Sequence, residues 1–192
     1  AGDMVYKFSW ARDPGVYGYF GNMKEQQSPD CSCYVKNGPF IGTSKNVDFI
    51  RYADVLLFKA EALIQLNRYT EALPIINQIR ARAAASTTMT LAAGASNVYK
   101  VQPYDSFPSK EYAMKALMFE RRLEFGMEGP RFFDLVRWGI AEPVLNAYLN
   151  VEKTKRDFLS NAKFTAGRDE YYPIPQREID FTGGLYKQNP KY

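Results

Sequence analysis

From Val47 to Ala83 the apolar residues recur at three- and four-residue steps in two consecutive runs, broken once by a short polar stretch. A chain with this period buries itself as paired helices, because such spacing puts the apolar side chains on one helical face. The first run is Ile50, Ala53, Leu57, Ala60 and Ile64, widened by Leu56 and Leu63. Asn67-Arg68-Tyr69 interrupts it, and Thr70 offers an N-cap oxygen to the second run, Ala72, Ile75, Ile76, Ile79 and Ala83. Pro74 is then expected in the first turn, where its missing N–H costs little. The pattern predicts an antiparallel helical hairpin over 47–83.

Small Ala60 and Ala72 where the two helices cross, and a turn of the Leu66-Asn67-Arg68-Tyr69 kind, make the hairpin resemble one tetratricopeptide-type repeat. A single repeat cannot bury its own apolar faces, so later helices or parts outside this chain must cover it. Residues 84–107 are rich in Ala, Ser, Thr and Gly without period and read as a long connection. Ser109 is expected to cap a third helix whose inner face is Tyr112, Ala116, Phe119, Leu123 and Met127, with Gly129 at its C′ position. Pro130 opens and Gly139 closes a short fourth helix. A fifth is expected from about Pro143 to Leu159 with Val144, Tyr148, Val151 and Phe158 inward. The expected fold is mainly α: the tetratricopeptide-like hairpin and further packed helices, with irregular loops and short strands in the N- and C-terminal segments. It reads as one domain over 1–192, divided into an irregular aromatic-rich segment (1–46), the hairpin (47–83), helices (109–159) and an extended tail (160–192).

Composition removes several functions. The 192 residues contain no histidine, so mechanisms that use imidazole as base, shuttle or metal ligand are closed. Twenty-five Lys and Arg against 21 Asp and Glu leave a formal charge of +4, too small and too evenly interspersed to argue for a nucleic-acid surface on its own, which demotes that class without excluding it. Cys31 and Cys33 alone cannot complete a four-ligand zinc site, leaving two loop thiols or a strained local disulfide. Neither a secretory signal nor an apolar stretch near the ~20 residues needed to cross a bilayer is apparent. No Gly-rich phosphate loop is present, so no cofactor is expected.

Two groups of residues could carry chemistry. Glu120, Glu124 and Glu128 stand at i, i+4 and i+8, a spacing that suits paired carboxylates in glycoside hydrolysis. Arg121, Arg122, Arg131 and Arg137 surround them, however, and guanidinium groups hold carboxylates ionised where a general acid needs the opposite. The favoured reading is a structural ion-pair lattice of Glu120, Arg121, Glu124, Glu128, Arg131, Asp134 and Arg137, with Arg131 and Asp134 clamping the fourth helix. Arg51, Asp54 and Glu61 form a second polar set, in which Asp54 suits the helix dipole. The other group is aromatic. Tyr, Phe and Trp make 15% of the chain, and Trp10, Tyr17, Tyr19 and Phe20 sit in the turn-rich opening, where flat rings can stack on sugar faces or simply roof the core.

Taken together, the blocks Arg51–Ala62, Ile76–Ala83 and Glu120–Gly139, followed by Tyr172-Pro173-Ile174-Pro175-Gln176-Arg177-Glu178-Ile179-Asp180 and Gln188-Asn189-Pro190-Lys191-Tyr192, resemble the C-terminal part of the SusD/RagB family. That resemblance implies a non-catalytic surface lipoprotein of the Bacteroidetes outer membrane. Such a protein binds a glycan, or in some members a peptide, for nutrient uptake, and acts as a lid on a SusC-like TonB-dependent transporter. It implies no cofactor, no nucleic acid, and membrane association only through a lipid anchor that this chain lacks. The chain is then expected to be the C-terminal part of a longer protein, with the ligand contacts assigned from composition to Trp10, Tyr17, Tyr19 and Phe20. The alternative is a protein- or peptide-binding scaffold that uses the tetratricopeptide-like hairpin.

Overall fold

A computed structural model describes residues 31–86 and 100–192, together with Asp13 and Lys24. Mainly helical as expected, it gathers into two compact units, one ending at Met127 and one running Glu128–Tyr192.

The first unit opens with an antiparallel hairpin, β1 (Tyr34–Asn37) and β2 (Phe40–Thr43), in which Asn37 pairs with Phe40. The two-residue turn Gly38-Pro39 fits because Gly38 supplies φ +61 at the first central position, which hairpin turns of this length demand. Helices α1 (Tyr52–Gln65) and α2 (Tyr69–Ala84) follow, with Ala60 and Ala72 fully buried. The first begins five residues later than its apolar run suggested. Arg51 is extended (φ −95, ψ 153) with its guanidinium on Glu124, so Val47 and Ile50 precede the helix and are exposed.

Asn67 reverses the chain in one step: at φ 60 its N–H reaches Ile64 O (3.0 Å), and Arg68 N–H reaches Leu63 O (2.8 Å). These two hydrogen bonds close the last turn of α1, and α2 can start at Tyr69. The N-cap position therefore falls on Arg68, which pairs with Glu71, and Thr70 lies inside the helix. Pro74 consequently sits in the second turn; the Thr70 carbonyl it leaves without an i+4 donor is on an exposed residue, where water can serve it.

Helix α3 (Lys110–Glu124) is capped as its sequence indicated, Ser109 Oγ accepting from Tyr112 N–H at 3.2 Å. It buries a different arc from the one predicted. Ala113, Ala116, Leu117, Glu120 and Arg121 face inward, while Tyr112, Phe119, Leu123 and Met127 are exposed. It also ends earlier, because Phe125 turns into the core as C-cap; Met127 (φ 69) and Gly129 (φ +94) lie in the connection beyond.

In the second unit, α4 (Arg131–Arg137) ends on Gly139 at φ +70, with Gly139 N–H on Val136 O (2.9 Å) and Ile140 N–H on Leu135 O (3.0 Å). Helix α5 (Ala141–Glu152) stops seven residues short of the predicted Leu159, and a single 3-10 turn occupies Asp157–Leu159. Its inner residues are Ala141, Val144 and Leu145, packed with Leu135 and Phe164; Tyr148, Val151 and Phe158 are exposed. The tail is irregular except for α6 (Gln176–Phe181), which starts directly after Pro175.

Side-chain amides hold the irregular segments. Asn77 exchanges two hydrogen bonds with the Tyr104 backbone (2.8 and 2.8 Å), Asn146 two with Phe164 (2.9 and 2.9 Å), and Gln188 two with Ile174 (2.8 and 2.8 Å). Each supplies a donor and an acceptor in the geometry of a neighbouring strand, so extended chain is satisfied without a sheet. The left-handed residue joining α1 to α2 gives a direct test. Asn67→Val should lower the unfolding free energy by about 1–2 kcal/mol, because a β-branched side chain resists φ > 0, whereas Asn67→Gly should not; chemical denaturation measures both.

Candidate functional site

Of the polar residues flagged in the sequence, Arg51, Asp54, Glu120, Arg121 and Glu124 converge in the first unit, where α3 meets α1 and α2. Among the described residues Arg121 is the largest fully buried side chain, 2% exposed. Its Nη1 donates to Asp54 Oδ1 at 2.8 Å, and its guanidinium carbon lies 4.5 Å from the Phe58 ring centre and 5.1 Å from that of Phe125. A planar cation weakly held by water is suited to such a place, one edge on a carboxylate and its faces on rings. Asp54 thus has a specific cation across the helix interface as well as the favourable end of the α1 dipole.

Glu124 closes the end of α3. Arg51 Nη1 reaches its Oε1 at 2.8 Å, Arg82 holds Oε2, and its backbone carbonyl accepts from Arg51 Nη2 (3.1 Å) and Lys24 Nζ (2.6 Å). Cations on the last carbonyl of a helix satisfy an acceptor that has no helical partner. One turn earlier Glu120, 3% exposed, is held by Arg80 and by the Tyr104 hydroxyl at 3.3 Å, and Arg80 lies over the Tyr104 ring at 4.5 Å. Arg80 also reaches Gln102 O, so it pins the segment before α3 beside Asn77.

The sequence anticipated that arginines keep these carboxylates ionised. For Glu120 the balance runs the other way: burial pushes its carboxyl above the ordinary carboxylate value, against the opposing pull of Arg80. Burial likewise raises the Tyr104 hydroxyl. A raised carboxyl suits a general acid, but an acid almost wholly out of water cannot meet a glycosidic oxygen. Both oxygens of its neighbour Glu124 are engaged by guanidinium groups.

Glu128 leaves the predicted carboxylate face because α3 unwinds at Phe125; it and Arg131 belong to the second unit. There Arg137 donates to Asp134 Oδ1 at 2.8 Å and lies 4.7 Å from the Trp138 ring centre, so Asp134 and Arg137 clamp α4. Reading the sequence missed Arg80 and Arg82 as partners, and Tyr104. The signal was available in Ile79-Arg80-Ala81-Arg82: two arginines inside an apolar-faced helix require anions opposite. Trp10, Tyr17, Tyr19 and Phe20 lie outside the described residues. Among those described, no group of acidic or cysteine side chains is arranged to hold a metal, and no helix is long and apolar enough to cross a membrane. Cys31 and Cys33 are joined in a disulfide.

The sequence profile of the SusD family matches residues 17–192. SusD-like protein P38 of Formosa agariphila is 39% identical over 100 residues, 52% of this chain and 18% of the relative. SusD-like protein P2 of the same organism is 26% identical over 78% of this chain and 26% of its own length. Among solved structures, a SusD homolog from Bacteroides thetaiotaomicron superposes with a TM-score of 0.60 at 30% identity, covering 75% of this chain and 26% of that one. A SusD superfamily protein from Bacteroides vulgatus gives a TM-score of 0.54 at 32% identity over 74% of this chain and 27% of that one. The chain spans about a quarter or less of the length of these relatives.

The buried pair of Arg80 and Glu120 yields a prediction with a defined sign. Arg80→Met, which leaves the Glu120 charge uncompensated, should cost on the order of 3 kcal/mol at neutral pH and less in acid, where the carboxyl takes a proton. Glu120→Gln keeps a neutral acceptor and should cost far less. The unfolded carboxyl ionises near its ordinary 4.5 and the folded one only at higher pH. The native state therefore retains a proton that the unfolded state has lost, and this group's contribution to stability falls as pH rises through that interval. Subtracting the Glu120→Gln stability curve from that of the wild type, by urea unfolding from pH 4 to 8, should expose the decline; a flat difference contradicts it.

Proposed function

The chain belongs to the SusD family, and on that premise we propose that it is a non-catalytic part of a glycan-binding protein at the bacterial cell surface. The family match over residues 17–192 is the observation that carries this reading. The polar site supports it: the carboxylates most suggestive of hydrolysis are spent on joining helices, and the arrangement offers rigidity where an enzyme would offer an accessible acid. In this reading the helices hold irregular ligand-facing segments in place, with Trp10, Tyr17, Tyr19 and Phe20 as the stacking rings. The whole protein resides at the outer membrane through a lipid anchor and passes its ligand to a SusC-like TonB-dependent transporter. No cofactor and no nucleic acid take part.

A second reading rests on a different observation. Tyr52, Val55 and Phe58 along α1, Leu66 just after it, and Tyr112, Phe119 and Leu123 along α3 are exposed on the first unit. Runs of apolar side chains on helices are what a tetratricopeptide-like scaffold offers to a peptide or to a neighbouring repeat.

Calorimetric titration with a panel of neutral and acidic oligosaccharides separates the two. Binding to at least one sugar is expected, weakened about 5- to 150-fold by Trp10→Ala, in line with a stacking loss of about 1–3 kcal/mol. Heat only with apolar peptides, abolished by Phe119→Ala, supports the scaffold. Release of reducing sugar that vanishes in Glu124→Gln refutes the non-catalytic assignment.

A further inference from the structure

We infer that the Cys31–Cys33 disulfide is a thiol-exchange site, opened and closed by small thiols without loss of the hairpin it adjoins. The two cysteines are separated by Ser32 alone, and both are partly exposed. A cross-link around one intervening residue removes little freedom from the unfolded chain, so the bond gains little from loop closure. The backbone holds the same region independently: Tyr34 N–H bonds Cys31 O at 2.9 Å, Ser44 N–H bonds Cys33 O at 2.9 Å, and β1 pairs with β2 from Tyr34–Thr43 to Asn37–Phe40. The bond is thus accessible and redundant for the fold, the two properties that distinguish an exchanging disulfide from a structural one.

One contact distinguishes the two sulfurs. Cys33 N–H points at Cys31 Sγ, 3.2 Å away. A donor there stabilises negative charge on that sulfur and makes Cys31 the better leaving group. In the exchange a glutathione thiolate attacks Cys33 Sγ. The new S–S bond forms as the Cys31–Cys33 bond breaks, and the electron pair leaves on Cys31 Sγ as a thiolate held by Cys33 N–H. A second glutathione thiolate attacks the glutathione sulfur of the mixed disulfide, releasing the Cys33 thiolate and oxidised glutathione. Two glutathiones lose two electrons, and the protein disulfide gains them.

The test equilibrates the whole chain in glutathione buffers of rising reduced fraction, followed by alkylation and mass measurement, with amide exchange recorded on the same samples. Two alkylated thiols in the reducing buffers, with Tyr34 and Ser44 amide protection unchanged, are expected. A bond that stays closed, or hairpin protection lost on reduction, overturns the inference. The sulfur assignment is read separately from single-thiol variants. Cys33→Ser, which retains Cys31, should react with iodoacetamide at neutral pH about threefold faster than Cys31→Ser, the net of a tenfold larger thiolate fraction and its lower intrinsic nucleophilicity. Equal rates remove the role of the Cys33 N–H.

Discussion

A guanidinium almost wholly withdrawn from water must find an anion and flat neighbours, and Arg121 finds Asp54, Phe58 and Phe125. That requirement sets how α3 is rotated against α1. Once Arg121 faces Asp54, the 3.6-residue period places Glu120 toward Arg80 and Glu124 toward Arg51 and Arg82. The buried members of these pairs lose hydration, a cost that only a partner in place offsets, so a wrong rotation would strand several charges at once. An apolar interface would tolerate sliding; this one does not.

The same constraint explains the surface. With its polar arc committed inward beside Ala113, Ala116 and Leu117, α3 must carry Tyr112, Phe119 and Leu123 outward. On α1, burial of Ala53, Leu57, Ala60 and Ile64 leaves Tyr52, Val55 and Phe58 exposed. The first unit thus presents apolar helix faces that water does not favour, as expected of a repeat that stacks on neighbours.

The irregular segments need support without a sheet. Asn77, Asn146 and Gln188 provide it with paired amide bonds to the backbone of Tyr104, Phe164 and Ile174. Loops anchored at discrete points can vary between anchors while the helices stay unchanged, a separation well matched to proteins that share a scaffold and differ in what they hold.

Much of this was legible in the amino-acid order. The hairpin of α1 and α2, the Ser109 cap, the glycine exit of α4 and the concentration of Arg and Glu around α3 all follow from periodicity and terminal chemistry, because those signals act within a few residues. Tertiary structure decided which arc of α3 and α5 is buried, where α1 begins, that Phe125 ends α3, and that Glu120 is pushed toward its neutral form. Those outcomes depend on partners distant in sequence: Arg80 lies 40 residues from Glu120, and Arg51 lies 73 from Glu124. An apolar stripe records that a face is greasy, not whether another element covers it, and the burial that overrides a neighbouring charge exists only once the helices have met.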